Sequence, residues 1–286
     1  MKSRRSIGAV ALAASLAVFA AAPAFAAGEA VKIERQNWSF SGIFGTYDSQ
    51  QLQRGFGVYK EVCAACHSLK RIAFRNLAEP GGPEFNEEQV KALAATYEVP
   101  GEPNDEGEVE ARPARLADKF PPLYANDKAA RAAQGGALPP DLSLIAKARG
   151  ISYSGTWYEH PFYMAVDIAT GYQEGGADYI YALLTGYPEE PPEGVEVPPG
   201  LYYNAAFPGH LIAMANALYP DLGIYQDGTP ETVENYARDV SAFLSWTADP
   251  AHNQRKSTGW LVIFFLLITT VLLYISKRRI WSGVKH

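Results

Sequence analysis

Cys63-Ala64-Ala65-Cys66-His67 constrains this chain more than any other stretch. Two thiols three positions apart, with an imidazole on the next residue, form the pattern for covalent haem attachment. The 286 residues hold only two cysteines, and both lie in this motif. Each thiol can add to a haem vinyl group, and the histidine can ligate the iron. On a helical turn Cys63 and Cys66 are an i,i+3 pair and His67 is i+4 from Cys63, so all three leave from one side. A flat macrocycle tethered along an edge and ligated from one face requires that arrangement. Two other chemistries use the C-x-x-C spacing. A structural zinc site needs a second pair of ligands at similar spacing, and the sequence has none. A thioredoxin-like dithiol expects a βαβ context, which the flanks lack. One covalently attached haem c is therefore the expected cofactor.

The two ends of the chain read as targeting and anchoring segments. Lys2, Arg4 and Arg5 precede an apolar run from Ile7 to Ala22, and Ala24-Phe25-Ala26 is a small-x-small cleavage site. Residues 1–26 are thus an expected signal peptide. Gly259 to Ile275 is a run of seventeen residues without a charge. As a helix it spans about 26 Å, close to the hydrocarbon thickness of a bilayer. Trp260 and Trp281 bracket it, and Lys277, Arg278 and Arg279 follow. Positive charge stays on the cytoplasmic side. The expected organisation is a periplasmic haem domain over 27–257, a transmembrane helix over 258–276 and a cytoplasmic tail over 277–286. The chain would then sit as a single-pass protein in a bacterial inner membrane.

Charge is polarised along the chain. All 31 acids lie between Glu29 and Asp249, against 18 bases in the exported part, a net −13. Such a domain repels nucleic acid and favours a basic partner. Glu98 to Glu110 holds six of the acids, no base, two prolines and two glycines, and reads as an exposed loop. Tyr187 to Gly200, with five prolines and four glutamates, reads likewise.

With 25 Gly, 20 Pro and few alternating runs, the exported part is expected to be mainly α, with long loop insertions and little sheet. Three helices are readable. Asp48 caps the first, with Gln51 as capping-box partner. Leu52, Phe56, Tyr59, Cys63 and Cys66 follow it at helical spacing. Asn86 and Gln89 begin a second, with Val90, Leu93, Ala94 and Tyr97 on one face. Thr229 caps a third with Pro230 at its first position, and Val233, Tyr236, Ala237, Val240, Phe243 and Leu244 form its buried face. Asp249-Pro250 stops it, and a polar linker leads to the membrane helix. The first and third are expected to cross beside the haem.

His67 leaves one iron position open, which electron-transfer haems fill with Met or His. Of three methionines, Met1 is in the signal and Met164 lies in a Tyr/Phe-rich stretch where Met is usually a packing residue. Elimination favours Met214. His210 is its rival: it lies four residues earlier and would share a helical face with it. His160, before Pro161, and His252 are weaker alternatives.

Longer strings carry a resemblance. Trp38-Ser39-Phe40-Ser41-Gly42-Ile43-Phe44-Gly45, Gln51-Leu52-Gln53-Arg54-Gly55-Phe56, Pro139-Pro140-Asp141-Leu142-Ser143, Leu183-Leu184-Thr185-Gly186-Tyr187 and Ile212-Ala213-Met214, with one C-terminal anchor, resemble the cytochrome c1 family, the haem subunit of bc1 complexes. The resemblance implies a cytochrome c-like haem domain with Cys63 and Cys66 holding the haem and His67 and Met214 ligating its iron. It also implies that Arg149 pairs with a haem propionate, that Tyr179 lies near it, and that Pro139 and Pro140 pack on the histidine side. Ile151 to Gly176 looks like an insertion relative to shorter members. The extra cysteine pair of some bacterial members is missing, so something else must hold the methionine-bearing loop.

The implied role is electron transfer from a Rieske iron–sulfur protein to a basic or membrane-tethered cytochrome c, in a dimeric complex with the anchor against cytochrome b. Two alternatives remain at this point. One is a free-standing membrane-anchored monohaem cytochrome c serving an oxidase. The other is a periplasmic dithiol oxidoreductase. A haem peroxidase would need an open iron position, which Met214 would deny.

Overall fold

The computed structural model describes residues 31–151 and 158–283. The expected signal peptide lies outside them. Among the described residues there are eight α-helices: α1 Ser49–Glu61, α2 Glu87–Ala94, α3 Asp127–Ala133, α4 Ile145–Ala148, α5 His160–Thr170, α6 Gly175–Thr185, α7 Val233–Ala248 and α8 His252–Trp281. Sheet among the described residues consists of two antiparallel pairs, β1 Glu98–Pro103 with β2 Val109–Pro113, and β3 Tyr202–Tyr203 with β4 Leu211–Ile212. The mainly α expectation holds.

Helix α1 starts where its sequence says. The Asp48 carboxylate accepts from the N–H groups of Gln50 and Gln51, at 2.8 and 3.1 Å. The reciprocal half of the expected capping box does not form, because the Gln51 side chain donates instead to Asp239. Leu52, Phe56 and Tyr59 are buried along the expected stripe, with Gly55 and Val58 beside them.

Helix α7 begins three residues later than expected. Thr232, not Thr229, caps it, accepting from the Asn235 N–H at 3.2 Å. The cause is Glu231, whose carboxylate accepts from the N–H of Gly223 and Tyr225 and from the Tyr236 hydroxyl. Those bonds hold 229–231 out of the helix. From Asp239 to Ala248 every residue of α7 is buried. An amphipathic stripe predicts one buried face, but α7 packs against α1 on one side and against α4, α6 and the Leu142–Leu144 turn on others.

Helices α1 and α7 meet backbone to backbone at Gly55. A Cβ there would overlap the Asp239 carbonyl and lie 2.7 Å from Phe243 Cβ. Phe243 packs on Phe56 and Tyr59, at 5.6 and 5.9 Å between ring centroids. Burying each such ring stabilises by about 2–3 kcal/mol. The buried Asp239 carboxylate accepts from Arg54 Nε, Gln51 Nε2 and the Tyr225 hydroxyl at 2.7, 3.0 and 2.8 Å. A carboxylate this buried needs that full set of partners.

Two expectations about irregular segments change. The acidic stretch from Glu98 is a hairpin rather than a loop, with Val99 opposite Arg112 and Pro100 opposite Ala111. Its prolines and glycine argue against strand in the interior of a sheet, but a two-stranded hairpin is all edge. The expected polar linker before the anchor is also helical, since α8 starts at His252. Helix α8 is long and apolar enough to cross a membrane, and the expected span 258–276 lies inside it.

Candidate functional site

The chain leaves α1 at Glu61 and tightens into a 3-10 turn over Cys63–Ala65. The N–H groups of Cys66 and His67 both donate to the Cys63 carbonyl, at 3.1 and 2.9 Å. One turn therefore carries both sulfurs and the imidazole, although α1 itself stops short of them. Both cysteines are half-buried and form no disulfide. Burial, with Cys66 adding to it, pushes the Cys63 thiol up to about 12. The Gln134 side chain lies 3.7 Å from Cys66 Sγ and donates to the Tyr124 hydroxyl at 2.7 Å.

His67 is held by one decisive contact. Its Nδ1 lies 2.8 Å from the Pro140 carbonyl oxygen. A carbonyl only accepts, so Nδ1 carries the proton and Nε2 presents a lone pair. Metal-ligating histidines are commonly oriented this way. Burial lowers the His67 pKa, opposed by the Pro140 bond and the Asp141 charge. The imidazole is thus neutral at neutral pH, as a metal ligand must be.

The Pro140 carbonyl is fixed by a set of stitches between 139–143 and the stretch after His67. Leu142 N–H donates to Ser68 O at 2.9 Å, Lys70 N–H to Asp141 Oδ2 at 2.9 Å, and Arg71 N–H to Ser143 Oγ at 3.1 Å. Pro140 acts through its backbone oxygen while its ring is exposed, and Pro139 is half-buried beside it. The Tyr59 hydroxyl donates to the His67 carbonyl at 3.1 Å.

Met214 lies in a bend just after β4, half-buried, and not on a helix. The premise that made His210 its rival is therefore absent. His210 sits at φ 61 in the turn between β3 and β4. Its ring stacks on Tyr203 at 5.5 Å, and its Nδ1 lies 3.2 Å from the Asn204 carbonyl. His160 is exposed at the first position of α5. His252 is buried at the start of α8 against the Phe40 and Tyr47 rings. Met164 is not a packing residue, being 60% exposed on α5.

Two side chains hold the Met214 loop without a disulfide, and sequence reasoning named neither for this role. The Tyr187 hydroxyl donates to the Met214 carbonyl at 2.8 Å. Fully buried Asn204 donates to Leu183 O at 2.8 Å and accepts from the N–H groups of Ala206 and Phe207, both at 3.0 Å. Tyr187 was visible within the Leu-Leu-Thr-Gly-Tyr string; Asn204 had no signal at all.

Arg149 caps the end of α4 and is exposed, while Tyr179 is buried on α6. Burial raises the Tyr179 pKa and the Arg149 charge opposes it, so the two share one neighbourhood. Burial likewise pushes Tyr187 up to about 12, with Tyr179 adding to it. Among the described residues Arg149 makes no ion pair, so its guanidinium is available to a bound carboxylate.

The donor set fits a haem: two sulfurs on one turn, a neutral imidazole with a free nitrogen, a thioether on a separate loop and a cation for a propionate. Among the described residues no group of three or more His, Cys, Asp or Glu side chains is placed to hold a single metal ion.

The profile of the Cytochrome C1 family matches residues 38–284. The chain belongs to the cytochrome c1 family. It is 47% identical to the cytochrome c1 of Blastochloris viridis over 87% of this chain and 86% of that one. It is 45% identical to the cytochrome c1 of Rhodospirillum rubrum over 90% of each. It is also 50% identical to the cytochrome b/c1 of Bradyrhizobium diazoefficiens over 86% of its own length, but spans only 35% of that longer protein. Membership in the cytochrome c1 family implies a haem cofactor, in keeping with the donors assembled around Cys63 and His67.

Proposed function

We propose that this chain is the electron-transfer subunit of a quinol:cytochrome c oxidoreductase (bc1) complex. It accepts one electron from a Rieske iron–sulfur protein and hands it to a cytochrome c. It is not an enzyme alone but a redox subunit of one. The bound haem supplies reversible one-electron chemistry at iron. The chain's own residues do the rest. Cys63 and Cys66 would tether it through thioethers, His67 Nε2 and the Met214 thioether would ligate its iron, and Arg149 would pair with a propionate. A Met ligand raises the reduction potential. The hydrogen bond from His67 Nδ1 to the Pro140 carbonyl carries the reading, because it leaves the correct nitrogen free and fixes the ring.

The redox-dithiol alternative needs a thiolate at neutral pH. Membership in the cytochrome c1 family argues against it.

Residues 1–26 are read as a removed signal peptide, 27–257 as the periplasmic domain, 258–276 as the span and 277–286 as the cytoplasmic tail. The anchor packs on cytochrome b in a dimeric complex. The acids of the domain steer a basic acceptor, so oxidation by it slows as ionic strength rises.

The test is a pyridine haemochrome spectrum on denatured chain, with a subunit gel of the gently solubilised complex. Pigment that survives acid acetone, together with a cytochrome b and an iron–sulfur protein, supports the reading. Pigment without those partners indicates a free-standing cytochrome. Met214→Leu lowers the reduction potential sharply in a redox titration; an unchanged potential points to His210.

A further inference from the structure

Helix α5 is built inside out for a protein surrounded by water. Its exposed side carries Pro161, Phe162, Met164, Ala165, Ile168 and Ala169, with Phe162, Met164 and Ile168 at 67, 60 and 80% exposure. Its one acidic or basic residue besides the terminal His160 is Asp167, which is half-buried and paired with Arg35 at 2.8 Å. An uncharged apolar face on a helix whose one acid is neutralised off that face marks a contact with another apolar phase.

The position of α5 says which phase. Gly171 closes the helix in the left-handed region, at φ 68. Its Cβ direction meets Ile43 Cγ1 at 3.5 Å and the Gly42 carbonyl carbon at 3.7 Å. That 42–45 turn is itself exposed and apolar at its tip, with Ile43 and Phe44 at 53 and 77% exposure. The turn is bound to the first part of α8. Lys256 Nζ donates to the carbonyls of Phe40, Gly42 and Gly45 at 3.0, 2.6 and 2.8 Å. The Phe44 ring stacks on Trp260 at 5.0 Å and 9°. Trp260 opens the uncharged run of α8, where an interfacial tryptophan belongs. The end of α5 is therefore held at the depth where α8 passes from water into hydrocarbon.

We propose that the outward face of α5 and the tip of the 42–45 turn lie on the bilayer, forming a second membrane contact beside the anchor. Phe44, Phe162, Met164 and Ile168 insert into the headgroup–acyl boundary of the leaflet on the haem-domain side. An amphipathic helix binds a membrane in this manner, in the interface plane. The contact fixes the tilt of the domain on its single anchor, and so the height of the haem turn above the lipid. The proposal rests on α8 being the membrane anchor.

The test uses nitroxide labels on the full chain within its complex, reconstituted in lipid nanodiscs. Ile168→Cys and Phe162→Cys are labelled singly, each on an exposed position, and retention of the haem spectrum checks folding. Glu106→Cys, at the tip of the acidic hairpin, is the water reference, and Leu267→Cys in α8 is the anchor reference. The parent chain treated with the same label reports any reaction at Cys63 or Cys66. The expected result is a ratio of oxygen to nickel-chelate collisions several-fold higher at 168 and 162 than at 106. A ratio equal to that at 106 places the face in water and overturns the proposal. Immobile labels inaccessible to both reagents place a neighbouring protein there and also overturn it. A nickel-accessible Leu267 label sinks the anchor reading itself, which separates that failure from failure of the α5 contact.

Discussion

The histidine side and the methionine side of the site use the same last contact and differ in everything behind it. On each, a tyrosine hydroxyl donates to the backbone carbonyl of the residue proposed as ligand, Tyr59 to His67 and Tyr187 to Met214. Behind His67 stand the α1–α7 crossing, the Pro140 acceptor and the stitches from 139–143. Behind Met214 stand a pair of two-residue strands and Asn204. One side is over-determined; the other hangs on a few named hydrogen bonds. Local stability tracks that density of buried contacts.

The comparison is broken most violently at Gly55. Gly55→Leu forces a side chain into the Asp239 carbonyl and Phe243. Helices α1 and α7 must part, at a cost of about 3 kcal/mol or more. Thermal unfolding followed by circular dichroism should show a large fall in Tm and poor recovery of haem-bearing protein. Gly57→Ala is the control: its new methyl meets only Ile224 Cγ2 at 3.3 Å. Equal behaviour of the two variants would mean that the crossing does not hold the histidine side together.

On the other side the corresponding loss is smaller and local. Asn204→Ala leaves the N–H groups of Ala206 and Phe207 and the carbonyl of Leu183 without their partner. Unpaired buried groups cost about 1–3 kcal/mol each before relaxation or water entry. Hydrogen exchange should quicken between 201 and 216 while 49–67 keeps its protection. A uniform loss across both stretches would mean that the two sides are one cooperative unit.

The same contrast governs what could be read from the sequence. The histidine side was legible because its signals are local: a cap at Asp48, a stripe along α1, and ligands within five residues. The α7 start falls three residues after the Thr229-Pro230 signal because Glu231, bonding back to 223–225, holds that segment out of the helix. The hairpin after Glu98 was hidden by its prolines and glycine. On the methionine side the partners lie far apart in the chain, Tyr187 and Met214 by 27 residues and Asn204 and Leu183 by 21. No periodicity reports such pairs. Met214 itself was reached by elimination and by the Ile212-Ala213-Met214 resemblance, not by any local pattern, and the segment that would have put it on one helical face with His210 is a short strand and a bend.

A matched pair of single-atom deletions sharpens the comparison furthest. Tyr59→Phe and Tyr187→Phe each remove one hydroxyl and keep the ring. A hydrogen bond of this kind contributes about 1 kcal/mol. On the histidine side the loss should be silent in the potential, since Pro140 and the Cys63 turn still fix the imidazole. On the methionine side the same loss frees the carbonyl of half-buried Met214 itself and loosens the loop whose thioether is the proposed iron ligand. Weaker thioether ligation favours the oxidised state, so the reduction potential should fall in Tyr187→Phe and not in Tyr59→Phe. The fall is on the order of 40 mV, the one-electron equivalent of about 1 kcal/mol. Parallel redox titrations read both shifts. Equal shifts, or a larger one in Tyr59→Phe, would show that the methionine loop has support beyond Tyr187 and Asn204.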